Sequence, residues 1–319
     1  MGRVRAFALR LGFALVVTAV AVVAAEYTAR FIYRNVRSSG NGGDYFGSRG
    51  SGPAISVNSL GYREREIGRK SPDRYHIAVI GDSFTWGQGI EAAERYTNLL
   101  EGYLGPRYEV LNFGIPGHDM PEHLGELDQV LTLSPDFILL QLYINDFETR
   151  GMERPRPRPL LSSPDLDRRM SRSSVLYDML SGKWAQLQET MGSVESYTHY
   201  LERNLRDPNA PNAREAFAML TQFIERARAA GVPCGTVLFP APDAMGPHGA
   251  NYPFGYIHDR VQTICTDEKI TCLDLLPAFS AIRDPRSMWV SPFDAHPNAM
   301  ANRYAAQEIL ARFGGVWYK

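Results

Sequence analysis

The residues best suited to chemistry lie in His-Ile-Ala-Val-Ile-Gly-Asp-Ser-Phe at 76–84, where an apolar run ends abruptly at Gly81, Asp82 and Ser83. Ile77 to Ile80 are apolar without alternation, the pattern of a strand covered on both faces of a parallel sheet. Gly81 lets the backbone bend, which puts Ser83 at the carboxyl edge of that sheet, where open α/β folds hold ligands. A helix starting there would aim free N–H groups at the serine and favour the negative charge that an attacked carbonyl oxygen acquires. A serine hydroxyl alone is a weak nucleophile. An imidazole must accept its proton, and a carboxylate must fix the imidazole tautomer. His296 and Asp294 are the candidates for those two roles. Gly-Asp-Ser alone also describes a plain turn, so its partners carry the reading.

Three later stretches supply partners, each at the end of an expected strand or just before a helix. They are Leu-Asn-Phe-Gly-Ile-Pro-Gly-His at 111–118, Tyr-Ile-Asn-Asp at 143–146 and Phe-Asp-Ala-His-Pro-Asn at 293–298. In type, order and separation, the four stretches together resemble the SGNH (GDSL) hydrolase family over about residues 75–315. The resemblance implies Ser83 as nucleophile, His296 as general base and Asp294 as its orienting acid. It implies an oxyanion hole built from Ser83, the backbone N–H of Gly117 and the side-chain amide of Asn145. Gly114 competes with Gly117 for that role. Two positions depart from the family pattern: Tyr143 stands where the third block begins with glycine, and the last block reads Asp-x-His rather than Asp-x-x-His. The implied fold is a three-layer α/β/α sandwich with a five-stranded parallel sheet in flavodoxin-like order, and no cofactor is implied.

The elements that must position these groups are legible along the chain. Tyr96–Leu104 reads as a helix, Tyr108–Phe113 as the second strand, Pro121–Leu133 as a helix with proline at its start, and Phe137–Ile144 as a third, almost wholly apolar strand. If the strands are parallel, Asn145 emerges on the same rim as Ser83. A further helix is expected from Asn212 as N-cap, with Glu215 completing a capping box, Phe217, Leu220, Ile224 and Ala227 along one face, and Gly231 beyond its end. Val232–Phe239 follows as the fourth strand, Tyr256–Asp267 as a helix and Ile270–Leu275 as the fifth strand, with Asp274 structural. Pro297 opens a closing helix to about Arg312, with Gly314 and Gly315 at its exit.

Three segments stand outside this rhythm. Residues 1–37 contain Arg3, Arg5 and Arg10 and then the uncharged run Leu11–Ala25, read as a membrane anchor. Tyr27, Phe31 and Tyr33 would form an interfacial belt, and Val23-Ala24-Ala25 offers the alternative of a cleaved signal. Residues 38–57 read as a flexible Gly/Ser linker, and residues 58–319 as the hydrolase-like domain. The charges of Asn58-Ser-Leu-Gly-Tyr-Arg-Glu-Arg are expected on a solvated surface. The insertion at about 151–212, with helices near Ser174–Met191 and Val194–Leu205, reads as a lid or substrate-selecting element. Its Tyr177, Trp184, Tyr197 and Tyr200 suit helical packing better than stacking on sugars.

Composition limits the alternatives. The chain has 319 residues and a net charge of −1, which does not fit a basic nucleic-acid binder. Three cysteines are too few for a disulfide scaffold. Cys234 and Cys272 are expected as small buried strand residues, with a Cys265–Cys272 bridge as the alternative. The expected function is a serine esterase acting on a small acyl ester, for instance an O-acetyl group on a cell-envelope polysaccharide. Its domain would be extracytoplasmic and held to the membrane by the N-terminal helix, or secreted if that segment is cleaved. The alternatives are an O-acyltransferase with the same triad, a phosphoesterase holding a metal among Asp82, Asp146, His118 and His296, and a non-catalytic glycan-binding module.

Overall fold

The computed structural model describes residues 2–37, 57–68, 70–291 and 294–318. The expected linker at 38–57 therefore lies, apart from Val57, outside the described residues. So do the Tyr33 side chain and Phe293. In chain order the elements are α1 (Gly2–Arg37), β1 (Tyr75–Gly81), α2 (Ser83–Trp86), α3 (Tyr96–Leu104), β2 (Tyr108–Gly114), α4 (Met120–Leu131) and β3 (Phe137–Leu142). There follow α5 (Pro164–Ser173), α6 (Val175–Thr190), α7 (Tyr197–Leu205), α8 (Pro211–Ala229), β4 (Cys234–Leu238), α9 (Gly255–Asp267) and β5 (Thr271–Asp274). The chain closes with α10 (Leu276–Ser280), β6 (Trp289–Ser291), β7 (Asp294–Pro297) and α11 (Ala299–Trp317). They fall into two units: residues 1–39 with 155–196, and residues 40–154 with 197–319.

The larger unit is built on a five-stranded parallel sheet in the order β2-β1-β3-β4-β5. Alternate residues of each strand serve opposite layers. Ala78, Ile80, Leu111, Phe113, Ile138 and Leu140 pack with α4, α8 and α9. Ile77, Val79, Val110, Phe137, Leu139 and Val237 pack with α3, α10 and α11. Because helices cover both faces, the strands need no polar side and read as unbroken apolar runs. The sequence runs from β1 outward to β2, then back past β1 to β3, so the strand order reverses between β1 and β3. Crevices at such reversals are where open α/β sheets bind ligands.

Helix ends differ from the expectation in α7, which starts at Tyr197 and not near Val194, in α8 and in α11, which starts at Ala299 and not at Pro297. Helix α8 begins at Pro211, with Ala210 in the N-cap position, and Asn212 uses its amide to bond Asn204 instead of capping. Proline at the first turn costs no hydrogen bond, so it opens the helix two residues earlier. Helix α11 is capped by Asn298, whose side chain accepts from the N–H groups of Met300 and Ala301. It runs on through Gly314 and Gly315 because Phe313 and Trp317 are buried against Phe137. Packing of those two rings outweighs the modest helix cost of two glycines.

Cys265 at the end of α9 and Cys272 in β5 form a disulfide, while Cys234 is free and half-buried at the start of β4. The expectation of unpaired small residues is thus corrected for Cys272. Tyr197 and Tyr200 of α7 stack on each other with centroids 6.1 Å apart. Both donate to the Glu148 carboxylate, at 2.6 and 3.0 Å.

The smaller unit comprises α1, α5 and α6. Arg5–Phe31 within α1 is long and apolar enough to cross a membrane, with mean hydropathy 2.3. Glu26, the first charge after the apolar run, accepts from the Ser174 hydroxyl at 2.7 Å and from the N–H groups of Leu176 and Val175 at 3.0 and 3.1 Å. It thereby satisfies the orphan donors at the start of α6. Arg30 bonds Glu26 at 2.6 Å and the Ser173 carbonyl at 2.9 Å. Tyr177 donates to Asp167 within the same unit at 2.5 Å.

Candidate active site

Strand β1 ends at Gly81, and Ser83 is the first residue of α2. Asp82 caps that short helix, its carboxylate accepting from the Phe84 N–H at 2.8 Å. A Cβ on Gly81 would sit 2.3 Å from Thr85 Oγ1 and 2.4 Å from Gln141 Oε1, so this turn has room only for glycine. Gln141, buried in β3, accepts from the Asp82 N–H at 3.1 Å and from the Thr85 hydroxyl at 2.7 Å. Thr85 spends its proton there, so Tyr96 OH donates to Thr85, at 2.6 Å. The serine is thus mounted on a turn held from β3 through Gln141 and from α3 through Tyr96.

His296 arrives from far along the sequence on β7, which pairs with β6 as a short antiparallel ribbon. Its Nε2 lies 2.9 Å from Ser83 Oγ, and its Nδ1 lies 2.5 Å from Asp294 Oδ1. With Nδ1–H donated to the carboxylate, Nε2 is the acceptor facing the hydroxyl. Burial works against the Asp294 carboxylate, but the hydrogen bond and charge of His296 outweigh it and hold its pKa below the usual aspartate value. Phe84 stands edge-on to the imidazole, centroids 5.4 Å apart, and packs on Tyr143 at 4.5 Å. Tyr143 therefore supports, through Phe84, the ring that borders His296. Burial raises its phenol pKa far above the ordinary value, so the phenol stays neutral.

The other two predicted groups follow β2 and β3. Ile115–His118 forms a turn closed by the His118 N–H on the Ile115 carbonyl, with Gly117 at φ 81°, the left-handed conformation glycine favours. Gly114 is occupied otherwise: its N–H donates to Asn112 Oδ1 at 3.0 Å, and a Cβ there would meet the Trp86 nitrogen at 2.3 Å. Gly114 thus lets β2 approach α2 closely, and its N–H is already engaged. Asn145 lies in the 3-10 turn Ile144–Phe147 directly after β3, half-buried, with its Oδ1 buried and unpartnered. Ser83, Gly117 and Asn145 thus follow the carboxyl ends of three adjacent parallel strands.

Several contacts around these turns escaped the sequence reading. His118 Nδ1 and His123 Nδ1 contact the two Glu126 oxygens at 2.7 and 3.0 Å, and His123 Nε2 lies 3.6 Å from Asp146. Asp146 in turn accepts from the Tyr143 N–H at 2.7 Å. This chain ties the Gly117 turn to the Asn145 turn. Burial disfavours a charged His123, but the Asp146 and Glu126 carboxylates outweigh it and hold its pKa up at about 10. Burial, with the charge of Asp146, pushes Asp82 up to about 7. Arg63 is buried, contrary to the solvated surface expected for its stretch. It donates to the Gly87 and Ile90 carbonyls at 2.7 and 2.9 Å, clasping the loop beyond Ser83. The available signals were polar residues inside apolar strands, Asn112 and Gln141, because such groups are retained only when paired.

Of the metal alternative's residues, His118 engages Glu126 and His296 engages Ser83 and Asp294. Among the described residues no group of three or more His, Cys, Asp or Glu could hold a metal ion.

A serine, an imidazole and a carboxylate in this contact can activate the hydroxyl for attack on an ester carbonyl. The sequence profile of the GDSL-like Lipase/Acylhydrolase family matches residues 79–304. Comparison with curated proteins finds no match. Among solved structures, the chain is similar to TesA (15% identity, TM-score 0.48, covering 76% of this chain and 99% of that one). It is also similar to a lipolytic protein of the G-D-S-L family from Veillonella parvula (14%, 0.47, 75% and 98%). A third is Axe2, an acetylxylan esterase from Geobacillus stearothermophilus (12%, 0.46, 76% and 97%). The family profile spans well over half of the chain, from the strand before Ser83 to the helix after His296, and the protein belongs to the GDSL-like lipase/acylhydrolase family, an ester-bond hydrolase of the SGNH type.

Proposed function

We propose that the protein is a membrane-anchored serine esterase whose domain faces the extracytoplasmic side and which passes through an acyl-enzyme on Ser83. The observation that carries this is the contact chain from Ser83 Oγ to His296 Nε2 and from His296 Nδ1 to Asp294. His296 accepts the serine proton as Oγ attacks the ester carbonyl, and later returns it to the departing alkoxide. Asp294 holds the tautomer and stabilises the imidazolium. The N–H groups of Ser83 and Gly117 and the Asn145 amide receive the oxyanion. Water, deprotonated by the same imidazole, then releases the acid. The substrate proposed is a small acyl ester, such as O-acetyl, on a cell-envelope polysaccharide. The apolar α1 supports the anchor, and the Cys265–Cys272 bridge suits an oxidising compartment.

Intact-mass analysis after exposure to a fluorophosphonate tests the mechanism without knowing the substrate. A single adduct on Ser83, lost in Ser83→Ala and His296→Ala, is expected. Folded protein that takes no adduct would sink the proposal and favour the metal-dependent or glycan-binding alternatives. Product analysis with an acyl donor and an oligosaccharide acceptor separates hydrolysis from transfer: free acid is expected, and acylated oligosaccharide would make the protein a transferase.

A further inference from the structure

Within the smaller unit, α6 and its C-cap Met191 carry an apolar stripe left exposed among the described residues. Leu180, Trp184, Leu187 and Met191 recur at intervals of four, three and four residues, which places them on one helical face. They are 52%, 37%, 46% and 71% exposed. Lys183 lies beside Trp184 and is exposed, as are the polar Gln186 and Thr190 on a flank of the same helix.

The position of this face relative to α1 is fixed by the contacts at Glu26 and Arg30. Glu26 is the residue at which the uncharged run of α1 ends, so the start of α6 is held at the level where α1 would leave the hydrocarbon. Among the described side chains of α1, those that are not exposed fall within little more than one turn. Ala25 and Glu26 are half-buried and Ala29 is buried, whereas the other described side chains of α1 are exposed. Helix α6 therefore does not pair back along the apolar run of α1. A helix that starts at the end of a membrane span and does not pair back along it begins at the level of the headgroups. An apolar stripe with a tryptophan, flanked by lysine and amides, is the composition of helices that lie in the headgroup boundary.

We propose that α6 is an interfacial helix, seated in the phospholipid headgroup region through Leu180, Trp184, Leu187 and Met191. Together with α1 it forms a two-point attachment, a span and a float. This rests on reading α1 as a membrane anchor. The float buries apolar area that would otherwise face water, and it holds α6 at a constant depth. The occupant of the stripe is thus lipid.

The test uses the full chain in nanodiscs of phosphatidylcholine and phosphatidylglycerol, with Cys234→Ser as background and nitroxide labels at Leu187→Cys, Gln186→Cys and Val16→Cys. Collision with oxygen reports the apolar phase and collision with a water-soluble nickel chelate reports the aqueous one. The expected result is an oxygen-to-nickel ratio several-fold higher at 187 than at 186, approaching that at 16. A lipid-exposed label at 16 with 187 as aqueous as 186 would overturn the interfacial helix and leave the anchor standing. An aqueous label at 16 would overturn both. A label at 187 shielded from both reagents would mean that a second copy or another protein covers the stripe, and would also overturn the proposal. Retained esterase activity in each labelled chain verifies the fold.

Discussion

Asp294 and His296 are two residues apart on one short strand, and their side chains meet at 2.5 Å. In an extended strand, residues i and i+2 project from the same face, so the Asp-x-His spacing brings acid and imidazole together by strand geometry alone. The same Asp294 oxygen accepts the His296 backbone N–H at 3.1 Å, which fixes the carboxylate in place. The shortened spacing relative to Asp-x-x-His is thereby accommodated. Asp294→Asn keeps the shape and loses the tautomer control. Esterase turnover on a chromogenic acetate should fall by about 10⁴-fold, with circular dichroism unchanged. Near-normal turnover would mean that another group orients His296.

Asn145 should act on the transition state more than on the bound ester. Asn145→Ala is expected to lower kcat by about 10²–10³-fold and leave KM within a small factor. A rise in KM alone, at constant kcat, would assign the residue to substrate binding.

The two glycines after β2 should respond differently to alanine. Gly114→Ala drives a Cβ into the backbone of Trp86 and should lower the melting temperature or prevent folding. Gly117→Ala meets no atom within 4 Å, so its cost is confined to the left-handed backbone, about 1–2 kcal/mol. That variant should fold, yet lose turnover as the turn relaxes away from φ 81°. If the two variants were equally stable, the packing role of Gly114 would be wrong.

Stability should depend on pH through the buried cluster. The His123 pKa rises from 6.5 to about 10 on folding, so its contribution is complete below 6.5 and is lost as pH climbs toward 10. Asp82, raised from 3.8 to about 7, loses its own contribution at lower pH, between those two values. Asp119, raised to about 8, loses its contribution as pH climbs to that value, and the Cys234 thiol, raised from 9.0 to about 11, adds its own loss above 9, so between about pH 8 and 9 the decline in melting temperature should belong to His123, and His123→Gln should flatten it there. An unchanged slope in that variant would refute the assignment.

The Cys265–Cys272 bridge closes a loop of sequence separation 7 between α9 and β5. Chain entropy for so short a loop gives about 2–3 kcal/mol, so the Cys265→Ser, Cys272→Ser double variant should melt several degrees lower. Differential scanning calorimetry with and without reductant checks this, and no difference would show that the bridge adds nothing to the fold.

Much of the scaffold was legible in the sequence because its signals are local. Unbroken apolar runs marked β1 and β3 as doubly covered strands, and the Gly-Asp-Ser turn marked the place where one of them stops. These patterns fixed Ser83 and Asn145 at strand ends, and parallel pairing then set both on one rim. Tertiary structure decided what depends on contacts between distant residues. His296 reaches a serine 213 positions away only because β7 pairs with β6 beside the rim. Gly114 and Gly117 look alike in sequence, and only the approach of α2 to β2 separates them. Arg63 read as part of a solvated surface, yet it is buried and donates to the carbonyls of the loop beyond Ser83. The far end of α11 likewise followed packing instead of local signals, since a buried Phe313 and Trp317 outweigh two glycines. A sequence states what each residue can do with its neighbours in the chain; which distant groups it meets, and whether water is excluded from that meeting, is settled only when the layers close.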